Sequence, residues 1–326
     1  MMRRLIVLGA VFAGLGGLAP QSGAATPKVV AKGIPFGTNL VFDPAGGMWV
    51  TSGAGGSNGS DGVWYVPKGG KPRHVVRHLM TALGLRWAGG TLYVSHITSA
   101  SNGRVTAFTG FDGRRFAKRS VALDGLRVGR HTMDSIVQGA DGRLYVGVGS
   151  TFDNRGRPGR VLSWKPGSHT PRLEATGLRN PYGLAFHGAD LLVTDNGRDD
   201  LGELRPPEEL DAFDPTGPVA DFGFPRCSGG RGRCFGATAP IAKLPAHAST
   251  DGLAVKGDFA YVAQNGSTIR KHPVGNDVQR IDLTTGGRTR IWKSPVAHDP
   301  LGAAIGPDGN LYVTLFLSGK VVRLSV

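Results

Sequence analysis

Ala140-Asp-Gly-Arg-Leu-Tyr-Val146 and Pro307-Asp-Gly-Asn-Leu-Tyr-Val313 are two copies of one unit: a glycine turn followed by leucine, an aromatic residue and valine. Four looser copies read Pro44-Ala-Gly-Gly-Met-Trp-Val50, Ala88-Gly-Gly-Thr-Leu-Tyr-Val94, Gly188-Ala-Asp-Leu-Leu-Val193 and Lys256-Gly-Asp-Phe-Ala-Tyr-Val262. The closing valines stand at 50, 94, 146, 193, 262 and 313, so the copies recur 44, 52, 47, 69 and 51 residues apart. Steps of roughly 40–50 residues with alternating apolar positions are those of a four-stranded propeller blade. Six copies predict an all-β, six-bladed β-propeller.

Within a copy, one strand precedes the turn, as in Thr38-Asn-Leu-Val-Phe42 and Pro181-Tyr-Gly-Leu-Ala-Phe186. Another follows it, as in Gly62-Val-Trp-Tyr-Val66 and Arg160-Val-Leu-Ser-Trp164. Outer strands read Arg73-His-Val-Val76 and Thr289-Arg-Ile-Trp292. The sixth copy reaches Val326 without one, while the β-prone Pro27-Lys-Val-Val-Ala-Lys-Gly33 precedes the first copy unassigned. Pairing the two predicts a propeller closed by its own N-terminal strand, with no frayed edge. The long step of 69 predicts a rim insertion around 203–246, carrying Pro206-Pro207 and both cysteines.

Composition agrees with many tight turns: 52 Gly, 21 Pro and only 19% charged residues. Arg3-Arg4, the apolar run Leu5 to Leu15 and Ser22-Gly-Ala-Ala25 have the form of a secretory signal peptide. Residues 1–25 are therefore expected to be cleaved, leaving a domain over 26–326 in the periplasm, cell envelope or medium, with no membrane span. In an exported chain Cys227 and Cys234 are expected to form a disulfide, since two thiolates rarely make a zinc site. The formal charge of +14 is scattered and lacks aromatic interleaving, which argues against nucleic acid. Anionic envelope polymers are the better-matched partners.

Three polar groups fall at strand edges in the central copies. His131 precedes a strand and, near its ordinary pKa, can accept a hydroxyl proton at neutral pH. Taken alone, it reads more plainly as a turn histidine. Arg179-Asn180 precedes Pro181, which favours an extended Asn180, and a guanidinium there can stabilise developing negative charge. Asp195-Asn-Gly-Arg-Asp-Asp200 offers carboxylates, an amide and carbonyls of the kind that hard cations take, although most acidic turns bind nothing. Lesser candidates are His96, which follows Leu92-Tyr-Val94 and is expected to line the same mouth, His247, and His298-Asp299. No Gly-x-Ser-x-Gly elbow, His-Glu-x-x-His helix or phosphate loop is present.

Taken together, His131, Gly139-Ala-Asp-Gly-Arg-Leu-Tyr-Val-Gly-Val-Gly149, Gly177-Leu-Arg-Asn-Pro-Tyr-Gly-Leu-Ala-Phe-His187, Asp195-Asn-Gly-Arg-Asp-Asp-Leu-Gly202, Pro206-Pro-Glu-Glu-Leu210 and Asp221-Phe-Gly-Phe-Pro225 resemble the glucose/sorbosone dehydrogenase family. These are soluble six-bladed propellers that use pyrroloquinoline quinone (PQQ) and Ca²⁺. The resemblance implies an exported oxidoreductase that passes hydride from an aldose to the quinone and then electrons to an acceptor. It implies His131 as the base and Arg179 beside the quinone oxygen. It implies Asn180 as a cofactor contact and the Gly197 and Arg198 carbonyls as calcium ligands; His96, from its place after Leu92-Tyr-Val94, and Arg270 or Lys271, after Asn265-Gly-Ser267 in place of the family's basic residues, are further candidate cofactor contacts. The last blade departs from the family, reading Asp299-Pro300 for Arg-Pro and Leu315-Phe316 for an acidic pair. An Asp299 facing the cofactor carboxylates would repel them. The alternative is a non-catalytic propeller that binds an envelope glycan or a protein. A metal-dependent lactonase fits less well, because the clear acidic cluster is confined to one turn.

Overall fold

The computed structural model describes residues 25–54, 59–267 and 269–326. The expected signal peptide, but for Ala25, lies outside them. Among the described residues there is no helix, and hence none long and apolar enough to cross a membrane.

Six antiparallel sheets follow one another along the chain. Blade 1 comprises Gly37–Phe42, Met48–Ser52, Gly62–Val66 and Arg73–Arg77, and blade 2 Gly84–Ala88, Thr91–Ser99, Asn102–Phe111 and Phe116–Arg127. Blade 3 is built from Met133–Gln138, Leu144–Val148, Gly159–Trp164 and Arg172–Leu178; blade 4 from Pro181–His187, Asp190–Asp195, Glu208–Phe213 and Ala242–Leu244. Blade 5 contains Thr250–Lys256, Phe259–Gln264, Asp277–Asp282 and Arg288–Lys293. Blade 6 has Pro300–Ile305, Leu311–Leu315 and Lys320–Leu324, and its outer strand is Lys28–Lys32, in register Lys28 to Arg323 and Lys32 to Lys320. The two ends of the domain thus close the ring.

The repeat valines Val50, Val94, Val146, Val193, Val262 and Val313 are all fully buried on second strands, between adjacent blades. Residues that follow them tie the blades together. In blades 2, 4 and 6 that residue is Ser95, Thr194 or Thr314, and its hydroxyl accepts the N–H of an inner-strand glycine, Gly84, Gly183 or Gly302, at 2.7–2.9 Å. The same hydroxyl donates to a carbonyl of the next blade: Asp134 at 2.6 Å, Asp251 at 2.7 Å and Thr38 at 3.4 Å. The glycines leave room for this approach, since a Cβ on each would stand 2.0–2.4 Å from the neighbouring carbonyl oxygen. The inner strands of blades 1, 3, 4, 5 and 6 also shift register near their start. A bulge of this kind re-aims side chains at the start of a strand.

The expected insertion is narrower than 203–246, because Glu208–Phe213 and Ala242–Leu244 are regular strands of blade 4. The excursion between them adds Ala220–Asp221 parallel to the edge of blade 3, then forms a small hairpin of Cys227–Ser228 with Arg231–Gly232. The expected disulfide is present, with Cys227 and Cys234 joined and their Cα atoms 4.8 Å apart.

Replacing Gly302 by alanine forces a methyl to within 2.4 Å of the Thr38 carbonyl and 2.6 Å of the Asn39 Cα. Overpacking of this sort costs about 1–3 kcal/mol. Thermal unfolding should therefore show a Gly302→Ala Tm lower by several degrees, and an unchanged Tm would contradict the tight contact between blades 6 and 1.

Candidate active site at the mouth of the propeller

The chain enters each blade from the same end of the ring, so the residues just before the inner strands gather around one opening. Here His131, Arg179, Asn180, His247, Ser249 and His298 line a cavity of about 220 Å³, together with Asn196, Gly197, Asp199, Glu208, Asn265 and Gly266. Several backbones there are strained: His247, Ser249 and His298 have φ of 60°, 52° and 54°, in the left-handed region. Such outliers concentrate where surroundings hold a functional geometry. At the other end of the channel lies a cavity of about 360 Å³, lined by residues such as Phe42, Gln138, Phe186 and Ile305. It contains none of the candidate groups.

Arg179 is the centre of the mouth. Its side chain is only 4% exposed, and its backbone N–H is held by Asp195 Oδ1 and Oδ2, both at 3.0 Å. One Nη donates to Asp153 and to Asp199, each at 2.8 Å, and the other to the Asn196 carbonyl at 3.1 Å. The buried Nε has no partner among the described residues. Asp153 continues the chain of charges, with His131 Nε2 at 3.1 Å from Oδ1 and Arg130 Nε at 3.1 Å from Oδ2. Burial would raise the Asp153 pKa, but Arg179, His131 and Arg130 outweigh it and hold the carboxylate below its usual range. On the far side, His247 Nδ1 stands 3.6 Å from Asp199 Oδ1, and its Nε2 donates to the Gly202 carbonyl at 2.9 Å.

His131 is almost wholly enclosed. Burial first, and the Arg179 charge second, lower its pKa to about 4, with Asp153 only partly opposing them. At neutral pH it is an uncharged imidazole. Because an ionised Asp153 can only accept, Nε2 carries the proton and Nδ1 keeps the lone pair.

Behind Arg179 lies a layer of buried acids. Glu208 accepts the Gly197 N–H at 2.6 Å, and Asp251 accepts from Asn196 Nδ2 at 2.9 Å. Burial pushes Glu208 up to about 8, Asp251 to about 7 and Asp195 to about 6. Asp195, Glu209 and Asp211 bring carboxylate oxygens within 4.8 Å of one another, a spacing compatible with the oxygen set of a hard cation. Burial and mutual repulsion raise Glu209 and Asp211 as well.

His131, Arg179, Asn180 and Gly197 are thus brought together, along with the lesser candidates His247 and His298, while His96, Arg270, Arg198 and Asp299 do not line this cavity. His96 does not reach the mouth, because its strand continues to Ser99 and pairs His96 with Arg104 inside blade 2. There it is buried, with Nε2 at 2.8 Å from Thr106 Oγ1 and Nδ1 at 3.1 Å from the Ile97 carbonyl. Arg270 sits at the rim beside Ile269, its buried Nε without a partner among the described residues. The Arg198 guanidinium turns outward to Asp200 at 2.7 and 2.9 Å. Asp299 does not face the pocket either. It is fully buried, with its carboxylate accepting from Ser318 N at 2.8 Å, Ser318 Oγ at 2.5 Å and Ser294 Oγ at 3.3 Å. The expected repulsion of a cofactor from this position is therefore absent. Asp153, unremarked in the sequence, could have been found as the acid in the loop right after Gly147-Val-Gly-Ser150, at the same blade end as His131.

No protein-family model matches the chain. An uncharacterized protein of Borreliella burgdorferi is 25% identical over 339 residues, covering 89% of this chain and 87% of that one. Among solved structures, the PQQ-bound aldose sugar dehydrogenase of Streptomyces coelicolor superposes with TM-score 0.71 at 20% identity, over 94% of this chain and 99% of its own. The holo PQQ domain of Coprinopsis cinerea pyranose dehydrogenase gives 0.73 at 16%, over 94% and 99%. The chain has the fold of these soluble PQQ-type sugar dehydrogenases. A calcium structure of a Trichoderma reesei family AA12 carbohydrate-active enzyme gives 0.78 at 18%, over 95% and 99%.

The buried acids make stability depend on pH. A carboxyl protonated when folded and ionised when unfolded contributes stability that is present below its unfolded pKa, near 4, and is lost as pH rises through its folded value. His131 and His96, both lowered to about 4, act oppositely and contribute stability lost only as pH falls below about 6.5. Above pH 6.5 the acids alone change. In metal-free buffer, Tm should fall between pH 6.5 and 8, and a flat or rising Tm would contradict the protonated layer.

Proposed function

We propose that the protein is an exported, quinone-dependent dehydrogenase that oxidises an aldose or similar sugar at the propeller mouth. The observation that carries this reading is the convergence of His131, Arg179, Asn180 and Gly197 on one cavity. Export is supported by the disulfide and by the arrangement of Arg3-Arg4 before the apolar run.

The residues present fit an acceptor-rich, anionic quinone. The Nε atoms of Arg179 and Arg270 are buried donors without partners among the described residues, and Glu208 is protonated at neutral pH. Arg179, Asn180 and Arg270 would hold PQQ, and the carbonyls of Gly197 and Arg198 would face its Ca²⁺. When bound, the quinone supplies the two-electron acceptor for hydride from the sugar carbon, and a separate acceptor then reoxidises it.

The chain itself handles the proton. His131 Nδ1 accepts it from the sugar hydroxyl, while Asp153 fixes the tautomer through Nε2 and stabilises the imidazolium that forms. Asp153 and Asp199 lock the orientation of Arg179, whose Nε–H is the donor left for a developing oxyanion. A second reading, a propeller that binds glycans without chemistry, is favoured by one observation: both carboxylates already occupy a terminal nitrogen of Arg179.

Reconstitution with PQQ and Ca²⁺, followed by aldose turnover with an artificial acceptor, separates the two. His131→Gln should melt and give circular dichroism like the parent, yet lose about 10²–10⁴-fold in turnover. Near-normal activity in that variant would remove His131 as the base, and no turnover in the parent would favour the binding reading. In the parent, kcat/KM should hold as pH falls through 6 and drop only near pH 4, because the enclosed imidazole resists protonation. An acid limb at the ordinary histidine value would contradict the assigned environment.

A further inference from the structure

A third cavity, of about 260 Å³, backs onto the mouth. Its floor is Pro206-Pro207. One wall is the turn bearing Arg198, Leu201 and Arg205, and the other is the disulfide-closed hairpin bearing Arg226 and Arg231. The two cavities share a partition: a Cβ on Gly197, which lines the mouth, would stand 2.7 Å from Pro206 Cγ, and Glu208, next after Pro207, lines the mouth as well. Hairpin and floor are in close contact, since a Cβ on Gly229 would lie 2.5 Å from Pro207 Cδ.

Four arginines line this small cavity, and two of them are paired. Arg198 is paired with Asp200 and Arg226 with Asp221, at 2.7 and 2.9 Å. Arg205 and Arg231 are exposed and make no side-chain hydrogen bond or ion pair with any described residue, and no acidic residue lines the cavity. Two arginines without a protein counter-charge favour a bound oxyanion, which guanidinium groups recognise through paired N–H donors. The proline and leucine faces offer apolar surface for the carbon side of a sugar ring. An excursion of the chain found in no other blade, stapled by the protein's single disulfide, builds one wall.

We propose that this cavity is an anion subsite, which holds a carboxylate or sulfate on the second residue of an acidic saccharide while a neighbouring sugar occupies the mouth. The inference rests on reading the mouth as a sugar site and specifies the substrate class as anionic glycans. The apolar proline and leucine faces of this cavity alone would not select among sugars, whereas two unpaired arginines would.

Direct binding tests it independently of turnover. Titration calorimetry in low salt would compare a galacturonate trisaccharide, a sulfated trisaccharide of similar size and neutral maltotriose, on the parent and on the double variant Arg205→Gln/Arg231→Gln. At least one acidic trisaccharide should bind tenfold or more tightly than maltotriose. The double variant should weaken that binding by about tenfold per arginine, and raised salt should weaken it further. A parent protein that binds an acidic trisaccharide but never turns it over would sink the dehydrogenase reading and leave the subsite intact. Whether the carboxylate or the sulfate arm binds identifies the anion. Equal affinity for maltotriose, no binding of either acidic ligand, or undiminished binding in the double variant would overturn the subsite.

Discussion

The mouth depends on one buried guanidinium. Arg179 joins a loop of blade 3, through Asp153, to the Asn196–Asp200 turn that follows the second strand of blade 4, through Asp199. Only the guanidinium is withdrawn from water, while Asp153 and Asp199 keep part of their surface exposed; a buried Arg179 left unpaired would be costly, so the pairing holds the groups in place. His131 is suspended from one end of this chain of charges and His247 lies at the other. The Arg179 backbone is itself gripped by Asp195, whose desolvation belongs to the same buried layer as Glu208 and Asp251. Position and protonation at the site therefore come from one electrostatic arrangement.

That arrangement is possible because the blades meet closely at the centre. The glycines of the inner strands and the hydroxyls of Ser95, Thr194 and Thr314 let neighbouring backbones approach. A wider ring would separate Asp153 from Arg179. Blade packing, far from the surface, thus sets the geometry at which a proton could be transferred.

Much of this was legible in the sequence. Each repeat valine marks a second strand, and the unassigned segment near Lys28 pairs where the last blade lacks an edge, so fold and closure follow from periodicity and edge avoidance. His131, Arg179, Asn180 and Gly197 were legible for a related reason: each lies at the mouth end of a strand whose position the repeat sets. The failures share a cause. His96 was misplaced because its strand runs past the repeat unit, to Ser99, and carries the ring into the sheet. The Asp299 side chain turns inward to two serines, a choice made by local hydrogen bonding that no spacing encodes. Asp153 came into play only through a loop conformation. The residue after each valine carried an unread signal, because a small or hydroxyl residue there reports the neighbouring blade.

The central claim is that the charges organised by Arg179 form a cofactor pocket. Equilibrium titration of the purified protein with PQQ, with and without Ca²⁺, followed by the absorbance of the quinone, tests it most directly. The account predicts saturable binding at one quinone per chain that requires Ca²⁺ and is lost in Arg179→Ala while the propeller remains folded by circular dichroism. Absence of binding by the parent protein, or binding that Arg179→Ala leaves unchanged, would contradict it.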